Sequence, residues 1–366
     1  MKLAIVCSWL NQYGGAERVL KVVHDMCPQA PVYTSIYRPG ALPDAYRLWD
    51  IRPSFLNRLP LIKRWHQPFL PLYPLGFESL DLRGYDVVLS LTSAFAHGVI
   101  TPAETQHVCY CLTPARFLWN YHAYVEREGI GRLTRLALLP FLKSLRQWDR
   151  AAADRVDQFV AISRTVQRRI KKAYRRDSEI IYPPVNVEAT VSPEEPEDYF
   201  LIVSRLVPYK RIDLAVQAFN RLGLPLRIIG DGRDRRALEA MAKPNIRFLG
   251  HLADDAAVRA QMARCRAFLF PGEEDFGIAP LEAMAAGRPV IAYGAGGALD
   301  TIEEGETGIY FREPTPESLI EAVQRLEDDA FDPATLRRHA QRFGEDVFRE
   351  RLGATIERAY VRSQGR

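Results

Sequence analysis

The feature that most constrains this chain is a strand–helix–strand pattern over Ala267–Tyr293. Ala267–Phe270 is a short apolar run, and Pro289–Tyr293 is a second one. Between them, Ile278–Ala286 is rich in strong helix formers and is followed by Gly287, a residue typical of a helix C-terminus. Two strands joined by a helical crossover pair in parallel, and parallel sheets belong to α/β folds. The sequence therefore predicts a βαβ unit in an α/β protein.

Two carboxylates mark this unit as a candidate site. Glu274 lies in the loop after the first strand, and Glu282 lies inside the helix. Ligands of open α/β sheets bind beyond the carboxyl ends of the strands, and the first turn of a helix binds anions. The pair predicts a ligand with an anionic part and a polyhydroxyl part. The alternative is that both glutamates are solvated helix charges.

The length of 366 residues and the 47% hydrophobic content indicate a globular protein with more than one domain. The acidic, proline-bearing stretch 186–198 predicts the boundary, because it follows two prolines that end regular structure. We expect one domain over 1–187 and a second over 188–345. Residues 346–366 are expected to form a helix that packs back on the first domain.

Composition excludes several classes of protein. No apolar run approaches the roughly 20 residues of a membrane-spanning helix, and the run Lys2–Cys7 is too short for a signal-peptide core. The five cysteines are odd in number and lie mostly in strand-like or helical patterns, which indicates reduced thiols in the cytoplasm. The net charge of +4 suits acidic small molecules or an anionic membrane, and it does not indicate a nucleic-acid partner.

Two loops of the first half follow predicted strands. Gly14 and Gly15 open a predicted helix after Lys2–Cys7, the first predicted strand of the whole chain. Glycines at this position let the backbone approach a ligand; a tight βα turn is the alternative. Thr113 and Arg116 lie in a polar loop after the predicted strand 107–111. Polar residues just beyond a strand end predict a site loop.

Residues 51–77 allow two interpretations. Repeated prolines exclude a long helix. The segment is either a packed irregular connection or a contact with an anionic membrane surface, with cations beside the aromatic residues Trp65, Phe69 and Tyr73. The cationic helix predicted over 164–176 has either a solvated charged face or a contact with an anionic membrane.

The second half adds basic and glycine-rich loops at the same sheet edge. Arg205 and Lys210 flank a strand-to-helix turn. Cations at such a turn can bind a diphosphate; the alternative is an exposed basic loop without a ligand. Gly230–Gly232 follows the next strand, where glycines let a planar base lie on the backbone. Gly294–Gly297 resembles half of a dinucleotide fingerprint, but the complete motif is absent, which disfavours a nicotinamide site.

Together these motifs carry a resemblance to a known family. Glu274 and Glu282 form an E-x7-E motif that includes Phe-Gly, and Ser204–Leu206 is followed by Lys210. With the glycine pair after the first strand, the chain closely resembles the family 4 retaining glycosyltransferases of the GT-B fold. The run Tyr110–Phe117 resembles the acceptor-side loop of bacterial mannosyltransferase-like members that build surface polysaccharides. Leu112 stands where those members often carry histidine, so no histidine catalyst is assigned.

The resemblance implies a GT-B architecture, with two Rossmann-like β/α/β domains facing across a cleft. The first would bind the acceptor and the second the nucleotide sugar. It implies transfer of a hexose, with mannose from GDP-mannose preferred, to a lipid-linked or polysaccharide acceptor. A UDP-sugar donor, a UDP-sugar epimerase and a non-catalytic nucleotide-sugar-binding protein are the alternatives. No D-x-D metal motif is visible, so no cofactor or metal is expected. The protein would be cytoplasmic, or peripheral on the inner face of the membrane.

The resemblance also implies roles for individual residues. Arg205 and Lys210 would bind the donor diphosphate and, with Glu274 beside the transferred sugar, form the catalytic group. Glu282 would accept hydrogen bonds from the ribose hydroxyls. The remaining donor-binding candidates are Gly14, Gly15, Gly230, Asp231 and the segment Phe276, Gly277, Ile278 and Ala279; Thr113 and Arg116 are candidates on the acceptor side. Retention would come from a same-face reaction assisted by the diphosphate, with a carboxylate nucleophile as the alternative.

Overall fold

The computed structural model describes residues 1–63, 65, 67–121, 132–187, 195–252, 254–326 and 331–365, with the backbone alone over 132–138. Arg64 and His66 of the segment 51–77 therefore lie outside the described residues. The apolar spacing of residues 117–153 predicts an amphipathic helical region, of which 122–131 also lies outside them. The chain divides into two compact units. The first comprises Met1–Tyr182 and Phe348–Arg366, and the second comprises Pro183–Val347.

The first unit contains a parallel sheet. Its described strands lie in the order β3-β2-β1-β4-β5-β6-β7, and every neighbouring pair is parallel. All residues of β1, β4 and β5 are buried, as expected for central strands covered on both faces. The strands are β1 (Leu3–Cys7), β2 (Val32–Thr34), β3 (Ile51–Pro53), β4 (Val87–Thr92), β5 (Gln106–Cys111), β6 (Gln158–Ala161) and β7 (Ser178–Ile180).

Helices connect these strands and cover the sheet. The α-helices among the described residues are α1 (Gly15–Met26), α2 (Tyr73–Glu78), α3 (Arg116–Trp119), α4 (Arg132–Ala152) and α5 (Arg164–Tyr174). The Ser163 hydroxyl caps α5 by accepting a hydrogen bond from the Val166 N–H, and Arg175 ends that helix in a left-handed conformation with φ of 57°.

The segment 51–77 forms one short strand, two short 3₁₀ helices (Phe55–Arg58 and Gln67–Leu72) and α2. Tyr73 is fully buried and Phe69 packs partly buried against the core of the unit. Of the two interpretations of this segment, a membrane contact does not extend to Tyr73, because its side chain is buried in the core of the unit. Leu61, Trp65 and Leu75 remain more than half exposed.

The second unit contains another parallel sheet, with the described strands in the order β10-β9-β8-β11-β12-β13. The strands are β8 (Phe200–Val203), β9 (Leu226–Ile229), β10 (Ile246–Gly250), β11 (Ala267–Phe270), β12 (Val290–Tyr293) and β13 (Gly308–Phe311). The helices are α6 (Ile212–Leu222), α7 (Arg235–Met241), α8 (Asp255–Arg264), α9 (Ile278–Ala285), α10 (Ala298–Thr301), α11 (Pro316–Gln324) and α12 (Pro333–Gln341).

A further helix, α13 (Glu345–Gln364), ends the described chain. The sequence of residues 335–366 is polar and predicts helix throughout, and the structure divides this stretch into two helices, with Gly344 between α12 and α13. Within the first unit, Phe348 packs edge-on against Tyr110 of β5, and Arg358 forms an ion pair of 3.1 Å with Glu179 of β7. No helix in the described ranges is long and apolar enough to cross a membrane.

Both sheets have the strand order of a Rossmann fold, in which the chain winds outward from a central strand in one direction and then in the other. The reversal lies between β1 and β4 in the first unit and between β8 and β11 in the second. Such switch points leave a crevice beyond the carboxyl ends of the two strands. The loop Ser204–Arg211 and the loop Pro271–Gly277 both begin at this point of the second unit.

Candidate active site

The switch point of the second unit brings together two predicted site residues. The Lys210 ammonium forms an ion pair with Oε1 of Glu274, and both side chains are largely buried, with 13% and 20% of their surfaces exposed. Gly272 makes the approach of the two loops possible. A Cβ at Gly272 would lie 2.9 Å from the Cα, C and O of Lys210. Any larger residue would push the two loops apart.

Arg205 lies in the same loop and is connected to Lys210 through Tyr209. The Arg205 guanidinium donates to the Tyr209 hydroxyl over 3.0 Å, and the Lys210 ammonium lies 5.3 Å from the centre of the Tyr209 ring. Tyr209 thus contacts both cations, and charge over an aromatic face is favourable. The sequence analysis did not select Tyr209. Its place in the sequence between Arg205 and Lys210 is the one feature that could have pointed to it.

The loop after β12 fixes the backbone on both sides of Asp275. The Gly297 N–H donates to the Glu274 carbonyl over 2.8 Å. A Cβ at Gly297 would lie 2.2 Å from the Cα of Phe276, and one at Gly296 would lie 2.3 Å from the Glu274 oxygen. The glycine turn predicted after this strand therefore supports the Glu274 loop, a role that the sequence did not reveal.

Helix α9 begins directly after this loop. Its N-cap Gly277 has φ of 102°, and a Cβ there would meet the Phe270 ring at 2.8 Å. A non-glycine residue would be strained in that conformation. The backbone N–H groups of Ile278 and Ala279 lie in the first turn, where helices bind anions. Glu282 lies one turn further along and is half-buried.

The loop after β9 packs on the loop after β8. A Cβ at Gly230 would lie 1.9 Å from the Ser204 oxygen, and the Asp231 carbonyl accepts a hydrogen bond of 2.9 Å from the Leu206 N–H. The pKa of Asp231 lies below its usual range because the Gly232 N–H donates to its carboxylate over 2.7 Å, and Arg235 adds an ion pair of 3.2 Å. Asp231 is thus fixed next to the Arg205 loop.

The candidates of the first unit occupy two loops of its own sheet edge. Gly14 and Gly15 lie at the start of α1, with Gly14 as the N-cap. Thr113 is buried, and its hydroxyl donates to the Pro114 carbonyl over 3.2 Å. Arg116 is the first residue of α3 and is half-buried.

The described residues offer neither a metal site nor a reactive thiol. Over the ranges that the structure describes, no three histidine, cysteine or acidic side chains are grouped so that they could hold a metal ion. All five cysteines are free thiols, as predicted, and all but Cys27 are buried. Burial raises the pKa of both Cys7 and Cys265 to about 12, so these thiols are poor nucleophiles.

The architecture is that of the GT-B glycosyltransferases. The crystal structure of Anabaena HepE in complex with UDP has a TM-score of 0.73 to this chain at 17% identity, covering 98% of this chain and all of that one. Sucrose-phosphate synthase from Thermosynechococcus elongatus has a TM-score of 0.76 at 16% identity, covering 99% of this chain and all of its own.

Sequence comparison then identifies the family. A family model described as Glycosyltransferase Family 4 matches residues 13–189, and one described as Glycosyl transferases group 1 matches residues 187–346. A GDP-mannose-dependent alpha-mannosyltransferase of Mycolicibacterium smegmatis is 30% identical over 338 residues, which are 84% of each chain. An uncharacterized glycosyltransferase of Methanocaldococcus jannaschii is 24% identical over 324 residues, 87% of each chain.

The chain belongs to the family 4 glycosyltransferases. The predicted family, the GT-B fold class and the transferase activity are thereby confirmed.

Proposed function

We propose that this enzyme transfers mannose from GDP-mannose, with retention, to a lipid-linked or polysaccharide acceptor. The observation that carries the proposal is the cluster at the switch point of the second unit, where Lys210 pairs with Glu274 beside Arg205 and Tyr209. The cluster combines cations for a diphosphate with a carboxylate for sugar hydroxyls. The GDP-mannose dependence of the mycobacterial relative favours this donor.

The proposed reaction follows from the charges that develop. The bond between C1 of the sugar and the diphosphate oxygen breaks, which leaves positive charge on the sugar and negative charge on the departing GDP. Arg205, Lys210 and the first turn of α9 stabilise the departing diphosphate. The acceptor oxygen bonds to C1 from the face that GDP leaves, and the acceptor proton passes to a diphosphate oxygen. The products are GDP and the mannosylated acceptor.

The two glutamates have different tasks in this proposal. Glu282, half-buried on α9, accepts hydrogen bonds from the ribose diol. Glu274 accepts hydrogen bonds from hydroxyls of the transferred sugar, and its ion pair with Lys210 fixes its position next to the reacting carbon. Because two cations already face the diphosphate, we propose that the reaction needs no metal ion.

A UDP-sugar is the second candidate donor, since the solved HepE structures contain UDP and glucose. The deciding experiment incubates the enzyme with GDP-mannose, UDP-glucose and ADP-glucose, with and without EDTA, and measures release of nucleoside diphosphate. Release from GDP-mannose that survives EDTA supports the proposal. Release from UDP-glucose alone would replace the donor, and an activity lost with EDTA would refute metal independence.

Glu274→Ala tests the site in the same assay. We expect turnover to fall at least roughly tenfold, because a group that contacts the reacting sugar contributes to transition-state binding. Glu313→Gln removes an exposed carboxylate elsewhere in the same unit and serves as the control. Full activity of Glu274→Ala would exclude the proposed contact with the sugar.

We also propose that the first unit contacts an anionic membrane surface. Leu61, Trp65 and Leu75 expose 61%, 56% and 57% of their surfaces, and Lys63 is exposed among them. Apolar side chains beside a cation suit the interface of an anionic bilayer. Lys63→Glu should reduce co-sedimentation with phosphatidylglycerol-containing vesicles, whereas Arg83→Glu should not. Equal binding of Lys63→Glu and the unmodified enzyme would contradict this contact.

A further inference from the structure

A shallow, open groove of about 550 Å³ lies in the first unit, between the end of α3 and the C-terminal part of α4 with the 3₁₀ turn Ala153–Arg155 that follows it. One wall is an aromatic side chain, and the other is one face of a helix, because residues three or four positions apart share a face. The groove is lined by Trp119, Arg146, Gln147, Arg150, Ala151 and Asp154.

The aromatic wall is fixed from the interior of the unit. The indole N–H of Trp119 donates to Oδ2 of Asp149 over 2.7 Å, and the Tyr174 hydroxyl donates to the same oxygen over 2.9 Å. Asp149 is fully buried, whereas Trp119 is 38% exposed. The polar edge of the indole is therefore engaged inside the protein, and a ligand meets the carbon surface of the ring.

The helical wall, formed by α4, is hydrogen-bonded to α3, the helix that carries Trp119. Nε of Arg146 donates to the Leu118 carbonyl over 2.7 Å, which ties α4 to α3. Arg150 forms an ion pair of 2.7 Å with Asp154 on the rim. Two arginines and one carboxylate thus line the groove next to a planar apolar surface.

We infer that this groove binds a saccharide that carries an anionic group. The apolar face of a sugar ring packs on the indole, the side chains of Gln147 and Asp154 reach its hydroxyls, and an arginine binds the phosphate or carboxylate. The link to catalysis rests on the proposed function. Arg116, a candidate on the acceptor side, lies one turn before Trp119 in α3, so the bound sugar would be part of the acceptor.

The test measures binding at Trp119 without a donor. Replacing the five tryptophans by 5-fluorotryptophan gives fluorine NMR signals that Trp119→Phe and Trp65→Phe assign. The enzyme is titrated with mannose 6-phosphate, with glucuronate and with methyl α-mannoside. We expect a saturable shift of the Trp119 signal with an anionic sugar and no shift of the signal from exposed Trp65. The first two probes distinguish a phosphate from a carboxylate.

Arg150→Gln should weaken binding of the anionic probe at least tenfold, while Arg83→Gln, which breaks an exposed pair with Asp81, should leave it unchanged. Three results would overturn the inference: no shift of the Trp119 signal with any probe, shifts of the Trp119 and Trp65 signals by the same amount, or binding of uncharged methyl α-mannoside as tight as that of the anionic sugars. Nucleoside diphosphate release is measured separately. Binding here without transfer would refute the proposed function alone, and transfer without binding here would refute the groove alone.

Discussion

Replacing Gly297 by alanine should damage catalysis by moving the Glu274–Phe276 loop. Gly297 has φ of −72° and ψ of −18°, a conformation that alanine adopts readily, so backbone strain is not the issue. The obstacle is space. The new Cβ would lie 2.2 Å from the Cα of Phe276 and 2.4 Å from its oxygen. Since carbon atoms pack at about 3.5 Å or more, the loop must yield by roughly 1 Å.

This displacement sets the expected magnitude. Phe276 lies between Glu274 and the first turn of α9, so the shift acts together on the carboxylate proposed to bind the sugar and on the N–H groups proposed to bind the diphosphate. A misplacement of about 1 Å can cost about 100-fold in rate, and overpacking costs about 1–3 kcal/mol of stability. We therefore expect kcat/KM for the nucleotide sugar to fall about 100-fold in an enzyme that still folds.

The assay is release of nucleoside diphosphate, measured well below the unfolding temperature of the variant. Gly294→Ala is the matched control in the same loop, because its Cβ would meet Tyr310 at an ordinary 3.4 Å and its φ is not left-handed. Activity of Gly297→Ala within twofold of the unmodified enzyme would refute the reasoning. So would an equal loss in Gly294→Ala.

Three further predictions concern the cations and a buried histidine. Lys210→Ala should weaken binding of the nucleoside diphosphate about tenfold or more by calorimetry, with partial recovery in Lys210→Arg, because a charge-assisted contact is lost. Tyr209→Phe should raise KM for the donor about fivefold, since Arg205 loses one hydrogen bond; an unchanged KM would exclude this positioning role. Burial lowers the pKa of His107 from 6.5 to about 3. As pH falls, His107 is therefore protonated in the unfolded chain before it is protonated in the folded protein. The free energy of unfolding should then decrease as pH falls from 6.5 towards 3. His107→Gln should flatten that decline in denaturant titrations and exposed His251→Gln should not.

Most of the fold could be predicted because its central strands are continuous apolar runs covered on both faces. Three strands were missed for identifiable reasons. Ile51–Pro53 has three residues and ends in a proline, which weakens a strand pattern. Val32–Thr34 has three residues, too few to establish a period. Gly308–Phe311 begins with a glycine, which weakens a strand pattern. The structure shows that this glycine is needed, since a Cβ there would lie 2.1 Å from the Val290 oxygen of the neighbouring strand.

The candidate site was only partly accessible to sequence reasoning. Motif spacing pointed to Glu274, Glu282 and Lys210, because these residues follow strand ends that share one sheet edge. Spacing along the chain does not reveal that Lys210 pairs with Glu274, or that Tyr209 contacts both cations. These contacts depend on how two loops pack on one another. The groove at Trp119 depends likewise on a buried carboxylate that lies far from it in sequence.

The glycines explain how loops can hold the proposed catalytic group with the precision usually associated with helices and strands. Gly230 contacts the Ser204 backbone, Gly272 contacts that of Lys210, and Gly297 contacts that of Phe276. These contacts join the loops after four neighbouring strands, β9, β8, β11 and β12, through main-chain atoms, which have no rotamers to change. A side chain at any of the three positions would separate two loops that must stay together. These three glycines therefore help to position the loops that carry Lys210 and Glu274, and the geometry of the Lys210–Glu274 ion pair depends on them.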